Sequence, residues 1–274
     1  GHQRHRRHPA MTRSRATRSH PMRALLPAVL GATLAVVAGC SSSTATSPTT
    51  SAAGHRTVTI LAASSLTEPF AALATAYEQA HAGVTVRVSY GSSTTLAQQV
   101  AQGAPADIVA LAGSEAVAAL PAAATTTHPP IPFAENALVL ATPAANPARV
   151  GVLADLARPD VAVVLCVATA PCGRAADTAL AGAGITAHVV SREVDAKATL
   201  TKLRLGEADA ALLYHSDVVA ARGAVTGIPL PSPYAVSVTY SLVQLTDAPE
   251  VAGLVRALTD DGARTAYRAA GFGP

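Results

Sequence analysis

Tryptophan is absent from this sequence, and aromatic residues make up only 3% of it. That excludes a core built on stacked rings. Half of the residues are hydrophobic, so the core has to be assembled from Ala, Val and Leu, small side chains that suit close packing of helices on a sheet. Charge is also scarce, at 14%, and unevenly placed. No acidic residue precedes Cys40, whereas Arg4, Arg6, Arg7, Arg13, Arg15, Arg18 and Arg23 do. Taking those seven from the twenty basic side chains leaves thirteen against seventeen acidic ones, a net charge of −4 beyond Cys40. The formal +3 therefore belongs to the leading segment, and the body has no electrostatic footprint for nucleic acid. Catalytic signatures are missing too: there is no G-x-S-x-G, S-x-x-K, Walker loop or H-E-x-x-H. His55, His81, His128, His188 and His215 show no metal-ligand spacing.

What is present begins with a targeting pattern. From Met22 one Arg is followed by an apolar run with small side chains near its end, MRALLPAVLGATLAVVAGC. This is the pattern of a secretory signal, too short for a membrane span and interrupted by Pro27. Val37-Ala38-Gly39-Cys40 resembles the lipobox of bacterial lipoproteins, in which the Cys is lipidated and becomes the new N-terminus. Residues 1–39 are expected to be an upstream segment and signal peptide, starting at Met11 or Met22. The Ser/Thr-rich stretch 40–56 reads as a flexible tether.

From Thr57 onward, strand and helix patterns alternate, which predicts an α/β architecture with parallel sheet. Strands are expected at Val58–Ala63, Val84–Val88, Asp107–Leu111, Asn136–Thr142, Val161–Val167, His188–Val190, Ala208–Leu213 and Ala235–Val243. A helix after the first strand should bury Leu66, Phe70, Leu73, Ala76 and Tyr77 on one face. Further helices are expected near Gly173–Ala181, Asp195–Leu205, Pro249–Leu258 and Asp261–Ala269. Pro129–Pro132 and Pro229–Pro233 mark two crossings. They predict one lobe from 57–133 and 231–274, and a second from 134–230.

Four strand-to-helix junctions carry the chemistry. Ser65 and Ser93 are expected to cap the helices that follow them, Pro171-Cys172-Gly173 opens another, and Arg192-Glu193-Val194-Asp195 a fourth, with Asp195 as its cap. Several helix N-termini aimed into one cleft would form a cage of N–H and O–H donors, able to hold a dianion without a counter-charge. Tyr214, at the end of a strand, would add a phenolic donor, or else fill space at a sheet edge.

TILAASSLTEPF, YGSSTTLAQQVAQGAPADIVALA, the P-C-G step and GEADAALLYHSDV together resemble the molybdate-binding proteins of bacterial ABC importers. The resemblance runs from about Thr57 to the C-terminal AAGFGP. It implies a two-lobed periplasmic-binding-protein fold of type II, each lobe a mostly parallel sheet flanked by helices, with two hinge crossings. It also implies molybdate or tungstate as ligand, bound as an oxyanion, with no cofactor and no catalysis. By position, Ser65 and Ser93 correspond to hydroxyl ligands from one lobe. Cys172 and Val194 correspond to backbone N–H donors from the other, and Tyr214 to the tyrosine ligand. Cys172 departs from the pattern, since many relatives have Ala there; a backbone donor tolerates the change. Arg174 lies close to this set, and His215 next to Tyr214 reads as structural or as part of the rim. The implied partner is the permease subunit of an importer. The chain is then expected to be an exported monomer held at the extracytoplasmic face of the membrane only by the lipid on Cys40.

Two other readings stand beside this one: a receptor for sulfate, phosphate or another small anion, and an enzyme using a junction serine. The enzyme needs a base near Ser65 or Ser93 that no motif supplies. With Cys40 lipidated and the domain outside the cytoplasm, Cys166 and Cys172 are expected to pair, the alternative being two buried thiols.

Overall fold

The computed structural model describes residues 55–273. The signal segment, Cys40 and all but the last two residues of the tether lie outside the described residues. Nine strands form a sheet that curls from one half of the molecule into the other. In the first half, β1 (Arg56–Ala63) lies between β2 (Val84–Gly91) and β3 (Ile108–Ala112), all parallel. In the second, β5 (Val163–Cys166) lies between β6 (Val189–Glu193) and β7 (Ala210–Tyr214), again parallel.

Two antiparallel strands join the halves. β4 (Ile131–Pro143) pairs with β9 (Ser237–Gln244) through Ala137 and with β7 from Leu138 onward. One continuous strand thus changes sheets between Ala137 and Leu138. β9 also closes the first half by pairing with β3. A strand the sequence pattern did not announce, β8 (Val225–Pro229), covers the free side of β4. Its Thr-Gly-Ile-Pro composition gives too few apolar positions for a period-2 signal.

Helices cover both halves. α1 (Thr67–Ala80) buries Phe70, Ala74 and Tyr77 and half-buries Leu73, while Ala76 is exposed. The buried stripe therefore follows the i, i+4, i+7 rule, with Ala74 in place of the expected Ala76. α2 (Ser93–Ala101) packs beneath β3, and the short α3 (Ser114–Ala118) and α4 (Ala122–Thr127) follow. The second half carries α5 (Pro171–Ala183), α6 (Ala196–Arg204) and α7 (His215–Ala220). The C-terminal α8 (Pro249–Thr259) and α9 (Asp261–Ala269) return to the first half. Among the described residues no helix is long and apolar enough to cross a membrane.

The scarce aromatics are not spread evenly. Phe70, Phe133, Phe272, Tyr240 and Tyr267 all sit in the core between β1, β4, β9 and the C-terminal helices, with Phe133 and Tyr267 rings 5.0 Å apart. The second half is packed almost wholly with Leu, Val and Ala. Small side chains allow α5 to sit hard against the sheet. At Gly173 a Cβ would lie 2.0 Å from the Val167 carbonyl oxygen, so only glycine fits.

Asp107 ties three strand ends together. Its carboxylate accepts from Thr59 N–H at 2.9 Å, Thr246 Oγ1 at 2.7 Å and Arg56 Nη2 at 3.1 Å. Asp107→Ala leaves the Thr59 N–H without its partner and should lower stability by about 2 kcal/mol or more, read from urea unfolding midpoints.

Candidate functional site

The carboxyl ends of the six parallel strands converge on one cavity. Its wall is Ala63–Ser65 after β1, Gly91–Ser93 after β2, Ala112 ending β3, Pro171 and Cys172 ahead of α5, Asp195 and Ala196 ahead of α6, and Tyr214 ending β7. The crevice beyond strand carboxyl ends is where open α/β sheets bind ligands. The cavity is about 20 Å³. A single water needs about 10–15 Å³ of such space, so this admits one small polyatomic ion and excludes a sugar or peptide.

The two serines do not cap helices as the sequence suggests. Ser65 is the middle residue of a 3-10 turn, Ser64–Leu66, and Ser93 is the first residue of α2 after Ser92. Their hydroxyls are engaged elsewhere. Ser65 Oγ lies 2.7 Å from Tyr240 Oη, and Ser93 Oγ accepts the Ala112 N–H at 2.9 Å. Both serines are buried in the cavity wall. Because Ser93 already accepts from a backbone donor, its O–H remains to be given.

Tyr214 is buried, and its Oη has no hydrogen-bond partner among the described residues. Burial first, then the neighbouring Tyr240 and Asp217, push its pKa well above the ordinary tyrosine value, against a smaller opposing effect of Arg174. The phenol therefore keeps its proton at neutral pH. An orphaned buried donor costs about 1–3 kcal/mol, which an acceptor placed in the cavity would recover.

The opposite wall offers main-chain N–H groups. α5 starts at Pro171, so the N–H of Cys172 belongs to the first helical turn and has no intrahelical acceptor. Cys172 is joined to Cys166, the last residue of β5, with their Cα atoms 5.8 Å apart. α6 is capped by Asp195, whose side chain accepts the Ala198 N–H at 2.9 Å. Val194 is 67% exposed and is not among the residues of the cavity wall; what is expected of it is a main-chain N–H, on which the exposure of its side chain has no bearing. β6 ends at Glu193, two residues pass before the helix begins, and Asp195 and Ala196 form the wall directly after Val194. The cap at Asp195, legible in the sequence, is the signal that identifies Ala196 as the first helical residue.

The model of the bacterial extracellular solute-binding protein family matches residues 58–273. The chain belongs to that family. The molybdate-binding protein ModA of Mycobacterium tuberculosis is 33% identical over 210 residues, covering 77% of this chain and 80% of that protein. Among solved structures, the periplasmic molybdate-binding protein of Azotobacter vinelandii superposes with a TM-score of 0.64 at 18% identity, covering 79% of this chain and 99% of that one. The sulfate-binding protein SubI of Mycobacterium tuberculosis gives 0.68 at 19% identity, covering 80% and 87%. These structures share the two-lobed fold of solute-binding proteins.

No Lys or Arg lines the cavity of this solute-binding protein. Arg174 donates to the Thr169 carbonyl at 2.5 Å and lies 4.0 Å from Glu115. Lys197 Nζ bonds both Glu68 oxygens, at 2.7 and 2.9 Å, across the two lobes. His215 Nδ1 lies 2.9 Å from the Gly271 carbonyl oxygen, a structural contact away from the cavity. Among the described residues no group of three His, Cys, Asp or Glu could hold a metal ion.

Asp217 lies beneath this site and is fully buried. Its Oδ2 accepts the Tyr214 N–H at 3.3 Å, and Lys197 Nζ stands 3.5 Å from Oδ1, an ion-pair distance without hydrogen-bond geometry. Burial outweighs Lys197, and the Asp217 pKa is pushed up to about 6. The folded state then holds the proton more tightly than the unfolded chain, whose carboxyl titrates near 4. Stability should therefore fall as pH rises between about 4 and 6, by roughly 2–3 kcal/mol. Asp217→Asn should flatten that part of the profile in urea unfolding at pH 4 and pH 7; an equal drop in variant and wild type would remove Asp217 as its source.

Proposed function

We propose that this protein captures molybdate or tungstate as a tetrahedral dianion in the interlobe cavity and delivers it to the permease subunit of an ABC importer. The observation that carries the reading is a buried cavity lined by the hydroxyls of Ser65, Ser93 and Tyr214 and by helix-start N–H groups, with no Lys or Arg, and with its one carboxylate, Asp195, occupied by the Ala198 N–H. Ser65 and Ser93 give hydroxyls from the lobe formed by 57–133 and 231–274. From the lobe formed by 134–230 come the N–H groups of Cys172, of Val194 and of the α6 start, and the Tyr214 O–H. The hinge lies on β4 at Ala137–Leu138 and on the segment entering β9. The name of the 33% identical mycobacterial relative points to the same ligand.

With the Asp195 carboxylate committed to the α6 cap, the cavity disfavours hydrogen phosphate, whose own O–H would be buried without an acceptor. Sulfate has the same charge and geometry, and the likeness of fold to a sulfate-binding protein keeps it as the second reading. Catalysis by a junction serine is not part of the proposal, because the bonded neighbours of Ser65 and Ser93 are a phenol and a backbone amide, neither a base. The protein works as an exported monomer anchored through lipid on Cys40, outside the described residues. Two acyl chains suffice for stable attachment.

Calorimetric titration of wild type with molybdate, tungstate, sulfate and phosphate tests the ligand. Ser65→Ala, Ser93→Ala and Tyr214→Phe should each weaken molybdate binding by about 1.5–3 kcal/mol, the range for hydrogen bonds to charged groups. Wild type that binds sulfate and ignores molybdate and tungstate would replace the reading with its alternative. Separately, Cys40→Ala should move the protein from the membrane fraction to the soluble one with molybdate affinity unchanged; continued sedimentation with membranes would count against the anchor.

A further inference from the structure

One buried chain of polar groups reaches the cavity from behind. The Ser216 N–H, at the start of α7, donates to Asn136 Oδ1 at 3.3 Å. Asn136 Nδ2 faces Ser216 Oγ at 2.7 Å and Tyr240 Oη at 3.5 Å. Tyr240 Oη meets Ser65 Oγ at 2.7 Å. Asn136 and Tyr240 are both completely buried, and neither lines the cavity.

The direction of every proton in this chain follows from its first member. A backbone N–H can only donate, so the oxygen of the Asn136 amide must face Ser216; the reversed amide would set two donors against each other. The Asn136 NH₂ can then only donate, to Ser216 Oγ and, over its longer contact, to Tyr240 Oη. Burial raises the Tyr240 pKa above the ordinary tyrosine value, so the phenol is protonated. Its proton has one acceptor in reach, Ser65 Oγ. Ser65 thus receives a hydrogen bond from behind, and its own O–H is turned to the cavity.

We infer that Asn136 and Tyr240 are positioning residues that fix Ser65 as a donor, and that through it they set the cavity's preference for fully deprotonated tetrahedral anions. Ser93 is fixed in the same sense by the Ala112 N–H, a main-chain group that no substitution reverses. Ser65 is the hydroxyl whose polarity depends on side chains. The inference rests on the anion-binding reading above.

Asn136→Asp would reverse the relay. A carboxylate at this position accepts hydrogen bonds from Ser216 and from the Tyr240 O–H, which keeps its proton, so Ser65 must donate backwards to the Tyr240 oxygen and presents a lone pair to the ligand. Tyr240→Phe removes the rear donor and frees Ser65 to accept from a ligand O–H, while its ring stays among Phe133, Phe272 and Tyr214.

The test is calorimetric titration of wild type and both variants with molybdate, with phosphate affinity read by competition. The molybdate-to-phosphate affinity ratio should fall about tenfold in each variant, the equivalent of one net hydrogen bond. A merely structural role would weaken both anions by the same factor, so an unchanged ratio overturns the inference while leaving the receptor intact. Wild type that binds no tetrahedral anion would remove the anion reading and the inference with it. Should Asn136→Asp fail to fold, Tyr240→Phe alone decides, because it keeps the ring packing.

Discussion

On the proposed reading, taking a doubly charged ion out of water without a counter-ion is the constraint on which this structure depends. The hydration lost has to be replaced by fixed dipoles, each already oriented before the ion arrives. Side-chain cations would supply the charge more simply, yet Arg174 and Lys197 are drawn to a carbonyl and to carboxylates outside the cavity. That leaves main-chain N–H groups and hydroxyls, and both must be delivered to one point. Parallel strands do this because each ends at the same edge and hands the chain to a helix whose first N–H groups are unpaired. Six such ends meet in one cavity here. The fold is in that sense the means by which neutral groups are concentrated.

A hydroxyl is ambiguous in a way an N–H is not, since it gives or receives as its surroundings dictate. The structure removes the ambiguity by occupying the lone pairs from behind. Ser93 is held by a backbone amide and Ser65 by a phenol. Tyr214 is kept protonated by burial, and among the described residues its hydroxyl has no partner. Its unmet bond is a local cost, the kind of inconsistency that sequences otherwise avoid and that marks a site.

Much of this was legible in the sequence, for identifiable reasons. The strands carrying the site are short apolar runs ending in Ser-Ser, Gly-Ser-Ser or Tyr, and their period and punctuation are local properties. The expected helices at Pro249 and Asp261 begin where the structure begins them, because Pro at the first helical position and an acidic cap are strong start signals. What failed was whatever depends on the other lobe or on a neighbour. Serines before a helix look like caps, and only Tyr240, 175 positions beyond Ser65, shows that the Ser65 hydroxyl is engaged elsewhere. The strand expected at His188–Val190 ends three residues too early, because β6 runs on through the polar Arg192 and Glu193, which carry no apolar signal. Asn136, in the middle of an apolar strand, gave no hint of its role without Ser216 and Tyr240 beside it.

The lobes touch through contacts of modest strength. Thr94 donates to the Thr169 carbonyl at 2.7 Å, Lys197 pairs with Glu68, and Arg174 approaches Glu115. Glu68 and Glu115 are 46% and 67% exposed, and ion pairs of that kind contribute about 0–1 kcal/mol each. Such contacts align the lobes without holding them shut. On the proposed reading an anion bridges hydroxyls of one lobe and N–H groups of the other, so its differential affinity for the closed form exceeds what the rim contributes. A receptor whose closure was driven by its own rim would close empty and lose the distinction between loaded and unloaded states that a permease has to read. Weak rim contacts around a strong donor cage keep closure dependent on the ligand.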